Sequence, residues 1–235
     1  MRGFMEQCVE LYWELTEKKV ESLRSTATPS LDDHLLTAED QVERGALAPI
    51  AAKVLMKVLY GTRMCRPDLL FAVCSLAREV TRWTRACDKR LRRLISYIQG
   101  TKTLSLYSTV GDPLEKCRLL LYSDADFAGN NADLSKSTSG LFLVMAGPNT
   151  FAPLLAVSKA QSATSHSSTE SEVISLEYAL RTEGMPALDF WDAVAPLYST
   201  TSRSSRGGDP CYAKTRKRLK LKSRRPGGRR NTTQL

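Results

Sequence analysis

With 235 residues, 26.1 kDa and 42% hydrophobic side chains, the chain has material for one large or two small domains with a proper core, which excludes a small disulfide scaffold. Its formal charge of +9 fits a nucleic-acid or anionic-membrane partner, but residues 201–235 hold 12 Lys/Arg and one acid, leaving −2 on the first 200 residues. Six scattered cysteines without a CxxC pair and only two histidines, His34 and His166, argue against zinc, while the absence of an apolar run of about 18 residues and the acids Glu6, Glu10 and Glu14 predict an intracellular protein, cytoplasmic or nuclear, not secreted and without a membrane partner.

Phe4, Cys8, Leu11, Tyr12 and Leu15 recur at helical spacing and predict a helix over 3–18. Ser22–Asp40, with Pro29, Asp32 and Asp33, reads as an extended link. A second helix is expected over 46–60. Pro67 then opens a third, whose buried stripe is Leu69, Leu70, Val73, Leu76, Ala77 and Val80.

A fourth helix, over 82–99, places Trp83, Cys87, Leu91, Leu94, Ile95 and Ile98 on one face and Arg82, Arg85, Lys89, Arg92 and Arg93 on the other, with Gly100 as its stop. The basic face reads either as a solvated surface or as a row of phosphate contacts.

After Gly100 the pattern changes to short β-like runs. Arg118–Asp124, Ser139–Met145 and Phe151–Ser158 are separated by polar turns and predict a three-stranded meander. Ser168 opens a helix with early acids, expected to run to Thr182, break near Gly184 and Pro186, and resume through Leu197. Residues 199–235 lack apolar periodicity and are expected to be disordered. Their basic run over 214–230 reads as a nuclear address, an RNA-binding tail, or translation beyond a frameshift.

Asp124 and Asp126 stand two apart at the end of an apolar strand, so both carboxylates leave one face. Such a pair either holds a divalent cation or serves as an ordinary turn. Glu170 and Glu172 are about 200° apart around a helix and cannot both face one site. Glu172 is in line with Leu176 and Leu180 and is the expected partner of the aspartates, with Glu170 the alternative. Oxygen ligands without thiol or imidazole suit Mg²⁺ or Mn²⁺, which activate water and stabilise a phosphoryl transition state.

The motifs CRPDLLFAVCSLAREVTRW (65–83), CDKRLRRLISYIQGTK (87–102), LYSDADFAG (121–129), SKSTSG (135–140) and SKAQSATSHSSTESEVISL (158–176) together resemble the copia-type retrotransposon polyprotein. The match covers roughly residues 45–197, from the end of the reverse transcriptase into the ribonuclease H domain. The resemblance implies an α/β chain: a helical connection segment, then a partial ribonuclease H-like fold made of a three-stranded antiparallel meander plus a helix, then the basic tail. The expected divisions are 1–44, 45–115, 116–198 and 199–235. It also implies metal-dependent cleavage of the RNA strand of an RNA–DNA hybrid, with Asp124 and Glu172 as catalytic metal ligands. Lys136, Ser137, Thr138, Ser139 and Gly140 would be structural. The rest of a retrotransposon polyprotein is the implied protein partner.

The departures bear on activity. The family's next strand carries an Asp-Asn dipeptide, followed later by another acidic or histidine ligand. Neither has a counterpart here: Asp189 and Asp192 fall in the late helix, and Asp209 follows no apolar strand. The polymerase aspartates would precede residue 1. The expectation is therefore an impaired nuclease. The alternatives are a non-catalytic binder using the basic helix face and tail, or a decayed reading frame. Without the parallel strand, the edge at Leu119, Leu120 and Leu121 is expected to lie unpaired.

Overall fold

The computed structural model describes residues 3–16, 23–127, 136–199, 220–223 and 232–234. They form two compact units, Met1–Leu106 and Tyr107–Leu235. The first is helical and the second is a sheet covered by helices. This mixed α/β architecture is that of a partial ribonuclease H-like fold preceded by a helical segment.

In the first unit, α1 (Phe4–Thr16) buries Met5, Cys8, Val9, Tyr12 and Trp13. Its inward stripe thus passes through Cys8 and Tyr12 as expected, but is flanked by Val9 and Trp13 and not by Leu11. Helix α2 (Ala38–Val42) is a single short turn closed by a capping box: Thr37 Oγ1 accepts from the Asp40 amide, and an Asp40 carboxylate oxygen accepts from the Thr37 amide. Helix α3 (Ala48–Cys65) outruns the expected end at 60 by five residues.

Pro67 starts a 3₁₀ turn, Pro67–Leu69, that feeds α4 (Leu70–Arg78). Helix α5 (Arg85–Gly100) buries Cys87, Leu91, Leu94, Ile95 and Ile98. These side chains share one core with the inward face of α1, with Val54, Leu55 and Val58 of α3, and with Val73 and Leu76 of α4. The N-terminal helix therefore belongs to the same unit as 45–106, and the boundary lies at 106/107 instead of near 44 and 115.

Two polar details fix this unit. The Arg66 side chain, 2% exposed, makes a two-pronged ion pair with Asp68 (2.9 and 2.8 Å). It also donates to the Thr101 carbonyl (2.9 Å) and hydroxyl (2.8 Å), and lies 5.7 Å from the Tyr97 ring centre. The CRPD motif is thus a clamp between the end of α3 and the end of α5. Asp88, in the first turn of α5, accepts from the Ala46 and Leu47 amides and from the Trp83 indole. Gly45 passes so close that a Cβ there would lie 2.5 Å from the Thr84 carbonyl oxygen.

In the second unit, β1 (Arg118–Asp126), β2 (Thr138–Ala146) and β3 (Phe151–Ala160) form the expected antiparallel meander, with Leu121 opposite Leu143 and Asp124 opposite Gly140. Two further strands lie in the tail, β4 (Lys220–Ser223) and β5 (Thr232–Gln234), and the sheet order is β3-β2-β1-β4-β5. Strand β4 runs parallel to β1, pairing Leu120 with Lys220 and Ser123 with Ser223. This corrects the expectation of an unpaired edge at 119–121. It also sets two short strands within a tail expected to be disordered, whose other residues lie outside those described.

Helix α6 (Ser168–Ala179) packs on β1 and β2. Its innermost stripe is Ser171, Ser175 and Ala179, one residue earlier than the expected line through Leu176 and Leu180. Small side chains there permit close approach, and the two leucines fill the flanks with Leu119, Leu121, Leu141 and Leu143. The expected break near Gly184 is absent. A π turn, Leu180–Gly184, joins α6 directly to α7 (Met185–Ser199). The wider turn absorbs the missing amide of Pro186, and Gly184 lets the backbone sit against Leu121.

Candidate active site and nucleic-acid interface

Asp124 and Asp126 occupy the C-terminal end of β1, where the buried alternation of Leu119, Leu121 and Ser123 gives way to carboxylates on the other register. Their proximity is visible in their electrostatics. Asp126 titrates above the ordinary carboxylate range, first because of partial burial and second because of the negative charge of Asp124. Two like charges at one strand end create a site that a cation would relieve.

The helix that supplies the expected glutamate is anchored at the same point. Ser175 Oγ donates to the Asp124 main-chain carbonyl at 2.7 Å. Glu172, half-buried, precedes Ser175 by three residues, which places it one turn back on the same flank of α6. The α6 residue one turn after Glu172 is thus tied to the main chain of Asp124. Glu170 is used otherwise: one of its carboxylate oxygens accepts from the His166 amide at 2.7 Å, while its own amide donates to Ser167 Oγ at 3.1 Å, so it caps α6. His166 is exposed and meets Glu170 through its main chain.

A buried polar network fixes the start of α6. Gln161 Nε2 donates to Ser139 Oγ at 3.0 Å and to the Ser171 carbonyl at 2.8 Å, and Gln161 Oε1 accepts from Ser165 Oγ at 2.9 Å. Ser137 lies 3.4 Å from Ser165, and the Ser137 carbonyl accepts from the Gln161 amide. The serines of the SKSTSG motif thus hold β2 to the segment before α6. Sequence reasoning singled out the motif but not Gln161; its position in SKAQSATS, just after a strand and before a capped helix, was the available signal.

The donor set falls short of a two-metal centre. Among the described residues no three of His, Cys, Asp or Glu come together in a way that holds a metal ion. The strand beside β1, where the resemblance implies a third carboxylate, reads Lys-Leu-Lys-Ser, and no acid follows Asp209 in the chain. The residues present supply part of an Mg²⁺ shell and not the whole of it.

The basic helix face is also built differently from a bare cationic stripe. Arg85 pairs with Glu43 (2.7 Å) and Asp40 (3.4 Å), and Lys89 with Asp40. Arg93 donates to the Thr28 carbonyl and hydroxyl, both at 3.0 Å. Arg90, which the helical pattern did not single out, pairs with Asp33 at 2.6 Å. Arg82 reaches Glu79 at 4.0 Å, and Arg92 is exposed. Asp40 is almost fully buried, and its hydrogen bond from Lys89, then that from Thr37, holds its carboxyl down at about 2. The link expected over 22–40 is therefore laid against α5.

Among the known proteins this chain is similar to are a transposon polyprotein and an oomycete protein. Over 107 residues, 46% of this chain, it is 35% identical to the Retrovirus-related Pol polyprotein from transposon RE1 of Arabidopsis thaliana, and spans 7% of that polyprotein. Over 123 residues, 52% of this chain, it is 33% identical to the Secreted RxLR effector protein 161 of Plasmopara viticola, and spans 80% of that protein. No family model and no solved structure matches. No helix among the described residues is long and apolar enough to cross a membrane.

Proposed function

We propose, from the premise that this chain belongs to the family of the Secreted RxLR effector protein 161 of Plasmopara viticola and is related to a retrotransposon Pol polyprotein, that it is a copia-type remnant which binds an RNA–DNA hybrid and no longer cuts it efficiently. The first unit corresponds to the end of a reverse transcriptase and the second to the first part of a ribonuclease H-type domain. Asp124 and Glu172 are the retained ligands, and Asp126 lies beside them.

Divalent metal, when bound in an intact domain of this type, supplies the activated water and the charge that stabilises the phosphoryl transition state. The observation that carries the proposal is the content of β4. A strand runs parallel to β1, pairing Leu120–Ser123 with Lys220–Ser223, and its sequence is Lys-Leu-Lys-Ser, without a carboxylate. Phosphate contact survives such a loss, because it depends on positive charge and not on the carboxylate set.

The test offers the full chain a labelled RNA–DNA hybrid in Mg²⁺ and separately in Mn²⁺, scoring binding and cleavage side by side. Binding that weakens steeply with salt, with cleavage no faster than in Asp124→Ala, is expected. Cleavage that is metal-dependent and abolished by Asp124→Ala or Glu172→Ala would overturn the loss of catalysis. Failure to bind at low salt would overturn the whole reading.

A further inference from the structure

The segment from Ser25 to Glu43 follows α5 along its length in the opposite direction. Ser25 sits against Gly100 at the helix C-terminus. Thr28 then meets Arg93, Asp33 meets Arg90, Asp40 meets Lys89, and Glu43 meets Arg85 in the first turn. Four basic residues of one helix face are thus matched in order by oxygen acceptors of a single strand of chain. A carboxylate and a phosphate present similar oxygens to a guanidinium or ammonium group.

We propose that residues 28–43 form a displaceable acidic cover that occupies, in cis, the face of α5 that binds the phosphate backbone of a nucleic acid. The proposal rests on the hybrid-binding reading above and adds its regulation: the face engages nucleic acid only when the cover leaves.

The way the cover is attached supports this. Between residues 23 and 44, Asp40 is the only buried side chain among those described, while Leu35 and Val42 are exposed. The cover has no apolar anchor in the core. Its Glu43–Arg85 pair is exposed on both sides and its Asp33–Arg90 pair is half-buried, Asp40 alone being buried; an exposed pair shifts an equilibrium by no more than about fivefold. Helix α5 does not need it, because Cys87, Leu91, Leu94, Ile95 and Ile98 hold that helix in the core from the opposite side.

A natural pivot exists as well. The Arg85 amide donates to the Glu43 carbonyl, the Gly45 amide donates to the Trp83 carbonyl, and Asp88 fixes Ala46 and Leu47. Release therefore stops at Glu43–Gly45 without unravelling the unit.

The experiment compares binding of a fluorescein-labelled RNA–DNA hybrid to the full wild-type chain, to Asp33→Asn/Glu43→Gln, and to that variant with Arg90→Gln/Arg93→Gln added. Asp40 and its capping box are left intact so that the fold is kept. The acid-neutralised variant is expected to bind about five- to thirtyfold tighter, with a steeper salt dependence, because acids released in the wild type recover counterions. The added arginine changes should erase that gain.

Equal binding by wild type and Asp33→Asn/Glu43→Gln overturns the cover while leaving hybrid binding through other charges standing. No binding by any of the three overturns both. Hydrogen exchange on the wild type gives a second measurement without mutation: amides of 28–43 should exchange faster when hybrid is added. Unchanged or slower exchange there also overturns the cover.

Discussion

Replacing Arg66 by Met keeps most of the side-chain volume and removes the clamp. The loss consists of the two-pronged pair to Asp68, the two bonds to Thr101 and the contact with Tyr97. Removing one partner of a buried ion pair costs about 3–5 kcal/mol. Asp68, 31% exposed, regains some hydration, so the lower end, about 3 kcal/mol, applies. For a unit of this size each kcal/mol moves the midpoint by about 4–8 °C, giving a fall of roughly 12–24 °C. Trp13 and Trp83 are buried in this unit, so urea and thermal unfolding followed by tryptophan emission report it. Arg66→Lys should recover little, because an ammonium cannot reproduce the planar fork. A loss below about 1 kcal/mol for Met, or full recovery by Lys, would refute the clamp.

Gly45→Ala should cost about 1–3 kcal/mol and change Trp83 emission, since the new methyl meets the Thr84 carbonyl at 2.5 Å and the Trp83 ring at 2.6 Å; an unchanged unfolding midpoint would contradict this contact. Ser175→Ala removes the bond that ties α6 to Asp124 and should cost about 1 kcal/mol, with faster hydrogen exchange concentrated in α6 and β1. In acid, Asp40 gives a signed test. Its carboxyl is held at about 2, below the ordinary 3.8, so its contribution is complete above the ordinary value and is lost as pH falls through about 2. Asp40→Asn should flatten that part of the acid-unfolding curve.

Helices α3 to α5 and strands β1 to β3 were legible because each carries its own periodicity: Leu91, Leu94, Ile95 and Ile98 on a helix, Leu119 and Leu121 on a strand. Asp124 and Glu172 were singled out by motif and by face, but the innermost line of α6 runs one residue earlier than that face, through Ser171, Ser175 and Ala179. What escaped was made by contacts distant in sequence. Glu43 and Arg85 are 42 residues apart, and Thr28 and Arg93 are 65 apart, so a helical projection of α5 alone shows a cationic stripe where the fold makes a matched one. Strand β4 escaped for a different reason. Lys-Leu-Lys-Ser has little β propensity of its own, and its place comes from the open hydrogen-bonding edge of β1 at Leu120–Ser123. The π turn at Leu180–Gly184 was likewise hidden, since Gly184 and Pro186 ordinarily end a helix and here the sheet holds the chain helical through them.

The Asp124/Asp126 pair allows the charge state of the site to be tested without turnover. Asp126 is raised first by burial and then by Asp124. A carboxyl that holds its proton more tightly in the folded chain favours folding at low pH, and that contribution is lost as pH rises from the ordinary value through its raised one. Asp126→Asn should therefore remove a decline in stability across that window and leave the chain more stable than wild type at neutral pH. Asp124→Asn should bring Asp126 only part of the way back, because burial is the larger cause. Mg²⁺ should lower Asp126 further in wild type than in Asp124→Asn, since the cation answers the shared charge. Carboxyl ¹³C titration by NMR resolves these cases. An Asp126 that titrates at or below the ordinary carboxylate value in the metal-free chain would refute the coupled pair, and with it the strand-end geometry on which a cation site at Asp124 depends.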